Sequence, residues 1–252
     1  MKKFSSLFLV LLLMQVSFTA NAQGLYGDVN GDGVVNISDV NAVLGVILGD
    51  HTPTPPPVDE HEWVDLGLPS GTLWATCNVG ADSPEDYGDY FAWGETEPKD
   101  VYYWENYKWC DTSDYTMTKY CKDSENGTVD RKTRLEPEDD AAYVNWGPSW
   151  RMPTLVQIKE LIDECTWTLQ DDQCSYLVIG PNGNTMFLPA PGYILDDLIY
   201  YEGSYGCFWS CELGPCDSLI AYALAIGFQR YWYNAFSRYH GRSVRPVRVP
   251  QN

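Results

Sequence analysis

The amino-acid sequence predicts an α+β domain over residues 60–252. Three observations lead there: helical patterns are few and come early, loop-broken strand-like runs come late, and strand-like runs stand at both ends where they could pair. A unit of that length can bury about 70% of its extended-chain surface and so can fold without outside help. Composition agrees, since 44% hydrophobic residues and ten tryptophans argue against disorder over most of the 252 residues.

The chain opens with a secretory signal pattern over residues 1–22. Lys2 and Lys3 form a basic start, Phe4 to Phe18 supply an apolar stretch, and Ala20-Asn21-Ala22 before Gln23 matches a small-residue cleavage site. A membrane anchor is the competing reading, but the stretch is short for a span and no later run reaches ~20 apolar residues. No cysteine follows the cleavage site to carry a lipid. The expectation is an exported protein, extracellular, periplasmic or cell-surface associated, with no transmembrane segment.

Charge narrows the partners. Loss of Lys2 and Lys3 leaves 14 basic against 35 acidic side chains, and no Lys or Arg occurs between Gln23 and Pro98. Such a field repels nucleic acid and anionic lipid, which are held by Lys and Arg, and favours cations.

Residues 23–51 carry a calcium-loop pattern. Asp28, Asn30, Asp32, Asn36 and Asp39 fall at loop positions 1, 3, 5, 9 and 12, Gly33 sits at the sharp turn, and Val34 offers its carbonyl at position 7. A hard cation needs six or seven oxygens converging from one turn, and a helix at the loop end must hold the last carboxylate. That helix is expected from Ser38 onward, with Val40, Val43, Leu44, Ile47 and Leu48 on one stripe up to Gly49. Prolines at 53, 55, 56 and 57 make residues 52–59 an extended linker.

In the large unit, residues 63–69 and 243–249 are expected as terminal strands and 72–80 as a further strand or turn. Residues 137–147 are expected to form a short helix. A clearer helix follows, in which Thr154 and Gln157 make a capping box and Leu155, Ile158, Leu161, Ile162 and Cys165 share a face. Residues 176–190 form a hairpin around Asn182-Gly183, and 222–228 another strand.

All eight cysteines follow the signal, and an even number in an exported chain favours disulfides. Zinc lacks any CxxC or HxxxH spacing. Ten residues separate Cys110 from Cys121 across a polar loop, and Cys77 with Cys165 would tie the early strand region to the capped helix. Both pairs are expected as bridges, each contributing on the order of 3 kcal/mol.

Two resemblances add to these patterns. DVNGDGVVNISDV resembles the calcium repeat of type I dockerins, with Asp39 where an EF-hand usually has Glu, although only one repeat is present instead of two. The likeness implies Ca²⁺ and a cohesin-like or other protein partner. VDLGLPSGTLWATCNVGADSPEDYGDYFAWGETEPK, DDAAYVNWGPSWRMPT and GRSVRPVR resemble the Fibrobacter succinogenes major paralogous domain over nearly all of residues 63–249. That likeness implies a C-type lectin or formylglycine-generating-enzyme type of fold, with two helices against a small twisted, mostly antiparallel sheet. It implies no established activity.

Metal-dependent sugar binding of the lectin type would use Glu-Pro-Asn or Gln-Pro-Asp with Trp-Asn-Asp; the nearest strings are Glu136-Pro137-Glu138 and Asn145-Trp146. Metal-free sugar binding needs exposed rings. Tyr102, Tyr103, Trp104, Tyr107 and Trp109 form one dense cluster and Tyr231, Trp232 and Tyr233 another; the first is the expected ligand site because polar residues interrupt it and loop signals flank it. Cys211 and Cys216 have the spacing of the redox pair in formylglycine-generating enzymes, which would make a copper oxidase, though a disulfide explains the same residues. The expectation is a non-enzymatic binding or adhesion module taking a polysaccharide or cell-surface glycan. The alternative is an accessory component of a polysaccharide-degrading assembly docked through the repeat.

Overall fold

The computed structural model describes residues 39, 40, 43 and 61–248. The chain divides into two compact units, residues 1–59 and 60–252. In the first, Asp39, Val40 and Val43 are helical, with Asp39 buried and Val40 exposed. The signal pattern, the linker and the loop positions Asp28, Asn30, Asp32, Val34 and Asn36 lie outside the described residues.

The second unit is an α+β domain in which two helices accompany several small antiparallel sheets among the described residues. Strands β1 (Trp63–Asp65), β2 (Leu73–Ala75) and β11 (Val247–Arg248) form one sheet with β2 in the middle. The terminal strands therefore pair with β2 on either side and not with each other. Val64 and Val247 both face Trp74 across their ladders, and Trp74 is fully buried.

Helix α1 (Ala141–Trp146) follows a single 3-10 turn over Pro137–Asp139. Its cap is Asp140, whose buried carboxylate accepts from the N–H groups of Ala142, Tyr143 and Met152. Burial nevertheless pushes this carboxyl up to about 6. Helix α2 (Leu155–Glu164) begins with the Thr154–Gln157 capping box and buries Ile158 and Leu161.

A short three-stranded meander, a hairpin and a longer meander complete the unit. Strands β3 (Thr166–Leu169), β4 (Tyr176–Ile179) and β5 (Thr185–Leu188) form a sheet whose Asn182-Gly183 turn puts Gly183 at φ +86°. Strands β6 (Tyr193–Leu195) and β7 (Leu198–Tyr200) are joined by Asp196-Asp197. The longest strands, β8 (Tyr205–Leu213), β9 (Ile220–Gly227) and β10 (Arg230–Ser237), run in the order β10-β9-β8.

The β8–β9 pair separates two cores, and side-chain alternation explains how. Cys207, Trp209, Cys211, Ala221 and Ala223 belong to a core with Phe91, Trp93, Tyr120 and Trp150. Phe208, Leu224 and Ile226 belong to another, with Leu66, Trp74, Ile158, Leu161, Tyr176 and Leu188. Strand β9 is thus buried on both faces, which leaves β10 at the sheet edge.

Arg238 and Arg245, which precede β11, are also buried. Arg238 donates to Tyr107 Oη and to the carbonyls of Lys119, Tyr120 and Ser218, while Arg245 donates to Asn78 Oδ1 and the carbonyls of Ala75 and Thr76. A planar guanidinium can satisfy several carbonyls at once, so these side chains staple separate loops together.

Candidate functional site

The β6–β7 hairpin, the Tyr201–Ser204 turn and the β9–β10 turn come together around a cavity of about 370 Å³. Each element is built to expose its tip. Phe228-Gln229 joins β9 to β10 with Gln229 at φ +55°, and Phe228 is 60% exposed. Tyr201 takes φ +58° just before Gly203 and is 63% exposed. Leu198, Ile199 and Tyr200 continue the exposed apolar surface along β7. Exposed apolar side chains gathered in this way are a surface on which a ligand could bind.

The walls are aromatic. Tyr193, Tyr205 and Trp232 line the cavity together with Tyr201 and Phe228. Tyr205 meets Tyr193 edge-on at 6.3 Å and lies tilted to Trp232 at 6.0 Å, and Tyr193 stacks on Tyr200 at 5.7 Å. Ser204 and Arg230 are the polar lining groups, the latter with its guanidinium 4.0 Å from the Trp232 ring. Burial holds the Tyr193 and Tyr205 phenols above their ordinary pKa, so both stay protonated and able to donate at neutral pH.

A buried cation and a histidine stand against the Tyr193 ring without lining the cavity. Arg242 lies 4.8 Å from the Tyr193 ring and 5.1 Å from Trp209, a cation held on aromatic faces. His240 stacks on Tyr193 at 5.4 Å and contacts Arg242 Nη2 through Nδ1 at 3.3 Å. Burial first, and then the neighbouring guanidinium, push its pKa down to about 4, so the ring is neutral under ordinary conditions.

The expected aromatic platform lies elsewhere and is mostly interior. Tyr102 and Tyr107 are buried, and their hydroxyls donate to the carbonyls of Tyr90 and Trp93 at 2.5 Å each. Trp109 donates to Gly94 O at 2.8 Å, and Trp104 packs 4.7 Å from Tyr239. Only Tyr103 of this cluster is exposed, at 38%. The interior position has a physical cause: Tyr102, Tyr107 and Trp109 each have a carbonyl to receive their proton, which makes a polar-interrupted segment suitable for a core. The other cluster is the one that reaches a cavity. On β10, Trp232 lines it, whereas Tyr231 stacks on Trp167 at 4.4 Å and Tyr233 lies under Lys159.

The expected cysteine chemistry also changes. No two of the eight cysteines, all within the described residues, lie at disulfide distance. Cys110 and Cys121 share a small core, but the Cys110 thiol turns to Ser113 O and the Cys121 thiol to Asp123 O, so the two sulfurs expected to bridge are not at bonding distance in this structure. The expected Cys77–Cys165 pair is not at bonding distance either: Cys77 contacts Thr76, and Cys165 packs into the core beside α2. Burial pushes the Cys211 thiol up to about 12, which disfavours the thiolate that metal ligation requires, while Cys216 is exposed.

Glu136, Glu138 and Asp139 bring carboxylate oxygens within 4.8 Å of one another and could hold a cation. Lys119 Nζ already stands among them, at 2.6 Å from Glu136, 3.9 Å from Glu138 and 2.6 Å from Asp139. The ammonium supplies the charge that a metal would, and Glu136 is pulled below its ordinary pKa by Lys119 and Lys132. The Glu136-Pro137-Glu138 string is therefore an ion-pair cluster around a lysine.

No helix among the described residues is long and apolar enough to cross a membrane. Comparison of the chain with family models, with curated proteins and with solved structures finds no match.

Proposed function

We propose that residues 60–252 form a non-enzymatic binding or adhesion module of the C-type lectin-like kind, exported or displayed at the cell surface, that takes a glycan in the aromatic cavity. The observation carrying this reading is the cavity itself, where Tyr193, Tyr201, Tyr205, Phe228 and Trp232 converge with a few polar groups. Pyranose rings have apolar C–H faces that stack on such walls, and the hydroxyls around them suit the Arg230 guanidinium, the Ser204 hydroxyl and protonated phenols. No catalytic step is proposed.

A glycan-array screen of the chain from Gln23 onward, compared with Trp232→Ala and Tyr201→Ala, tests this. Selective glycan binding that both variants weaken supports it; binding untouched by either sinks it.

The N-terminal repeat favours a second, compatible reading in which Asp28, Asn30, Asp32, Val34, Asn36 and Asp39 bind Ca²⁺ and the repeat docks the module to a protein scaffold. Calorimetric titration with Ca²⁺ should give heat in the intact chain that Asp28→Ala plus Asp32→Ala removes. Absence of that heat would refute the metal site.

A further inference from the structure

Arg230 is the one charged side chain among the residues lining the aromatic cavity, and that lining holds no carboxylate. Its place follows from the hairpin. Arg230 opens β10 directly after the Phe228-Gln229 turn and stands two residues from Trp232, so both side chains leave the same face of the strand. The guanidinium carbon lies 4.0 Å from the centroid of the Trp232 ring, a cation–π contact that holds the group at the wall while the residue remains exposed.

This charge is not cancelled within the fold. Arg134 pairs with Glu212, Lys119 with Glu136 and Asp139, and Arg238, Arg242 and Arg245 are buried. Among the described residues, by contrast, the Arg230 side chain has neither an ion pair nor a hydrogen bond, and its contact is the Trp232 ring. A ring contact gives none of the five N–H donors of a guanidinium an oxygen. Glu202, which lies between the lining residues Tyr201 and Ser204 in sequence, acts elsewhere: burial, and then Glu202, raises the Tyr87 and Tyr90 phenols. More distant acids of this acid-rich chain are screened over about 10 Å at 0.1 M ionic strength.

A neutral sugar laid on these walls would strip water from the guanidinium and return only neutral hydroxyls, whereas a carboxylate returns paired, charge-assisted N–H···O bonds. We propose that the cavity selects a carboxylate-bearing pyranose, a hexuronate unit of an acidic glycan, with Arg230 pairing the carboxylate while the aromatic walls take the face of the ring. This selectivity rests on the glycan reading of the cavity, and Arg230 is its specificity-determining residue.

Calorimetric titration of the chain from Gln23 onward tests it, in the presence of a chelator so that no metal bridges an acidic sugar to an acidic protein. The probes are short oligomers of D-galacturonate and of D-glucuronate, their methyl esters, which keep the ring and cap the carboxylate, and a sulfated oligoglucoside. At least one acid should bind about tenfold or more tightly than its ester and than the sulfated sugar, the usual gain for a charge-assisted pair, and which acid binds identifies the ring. Arg230→Gln should erase that preference while leaving ester binding unchanged, and Arg230→Lys should restore only part of it, because an ammonium lacks the planar fork. Equal binding of acid and ester, both weakened by Trp232→Ala, would overturn the carboxylate selectivity and leave the glycan reading standing. Tighter binding of the sulfated sugar, or an acid preference that survives Arg230→Gln, would also overturn it. Absence of binding by every sugar would overturn both readings of the cavity.

Discussion

Two segments of this protein have almost the same aromatic content and opposite positions. Tyr102 to Trp109 is pinned to the interior through its Tyr102 and Tyr107 rings, and Arg230 to Phe236 forms an edge strand whose Trp232 lines an open cavity. The difference is in what receives the polar atoms. Tyr102, Tyr107 and Trp109 each donate to a backbone carbonyl of the Tyr90–Gly94 segment, and Arg238 in turn donates to Tyr107 Oη at 2.9 Å. On β10, aromatic side chains alternate across the two faces of an edge strand, so one face reaches the Trp167 ring and the other the cavity. Aromatic density therefore marks anchors without saying whether they anchor the fold or a ligand.

The largest effect that could break this comparison is on stability. Tyr107→Ala removes a buried ring, leaves Trp93 O without its donor and deprives Arg238 of an acceptor, so it should cost about 3–5 kcal/mol in urea or thermal unfolding. Tyr107→Phe keeps the ring and should cost about 1–3 kcal/mol. A nearly neutral Tyr107→Ala that abolished glycan binding would exchange the roles of the two segments.

Trp232→Ala gives the opposite pattern. It should weaken glycan binding by about 2 kcal/mol, as expected for a central aromatic anchor, and change unfolding free energy by about 1 kcal/mol or less, since the ring is only partly buried. Equal losses in both measurements would make β10 a core strand.

A smaller effect concerns His240, which stacks on the Tyr193 wall without lining the cavity. The His240 pKa near 4 lies below the ordinary 6.5, so the folded state binds fewer protons than the unfolded chain. This contribution to stability is complete above about pH 6.5 and is lost as pH falls toward and through 4. His240→Gln should flatten the pH dependence of unfolding in that window. An unchanged slope would show that another group titrates there.

The smallest expected effect is none. The cavity walls contain no carboxylate, so chelation of Ca²⁺ should leave glycan binding at the aromatic site intact. Loss of binding with a chelator would move recognition to a metal-dependent site and remove the contrast between the two aromatic segments.

Local chemistry was legible wherever a few neighbouring residues determine the outcome. Thr154 and Gln157 specify the start of α2 because their side chains bond each other's backbone, and Asn182-Gly183 specifies a hairpin turn because Gly183 must take positive φ. The strand ends at 63–65 and 247–248 were legible too, although their shared partner β2 was not. Strand β10 escaped notice because RYWYNAFS places aromatic residues on both faces and so lacks the apolar–polar alternation that reveals a half-buried strand.

By itself the sequence determined the α+β class, the capped helix, the hairpin and the pattern of the N-terminal loop, all of which depend on contacts a few residues apart. Tertiary structure alone decided which aromatic cluster is interior, that Lys119 fills the gap among Glu136, Glu138 and Asp139, and that the Cys110 and Cys121 thiols turn to different carbonyls. The reason is the same throughout: burial and charge pairing depend on partners brought together by the fold, so residue type and local spacing can name the candidates without determining which groups meet.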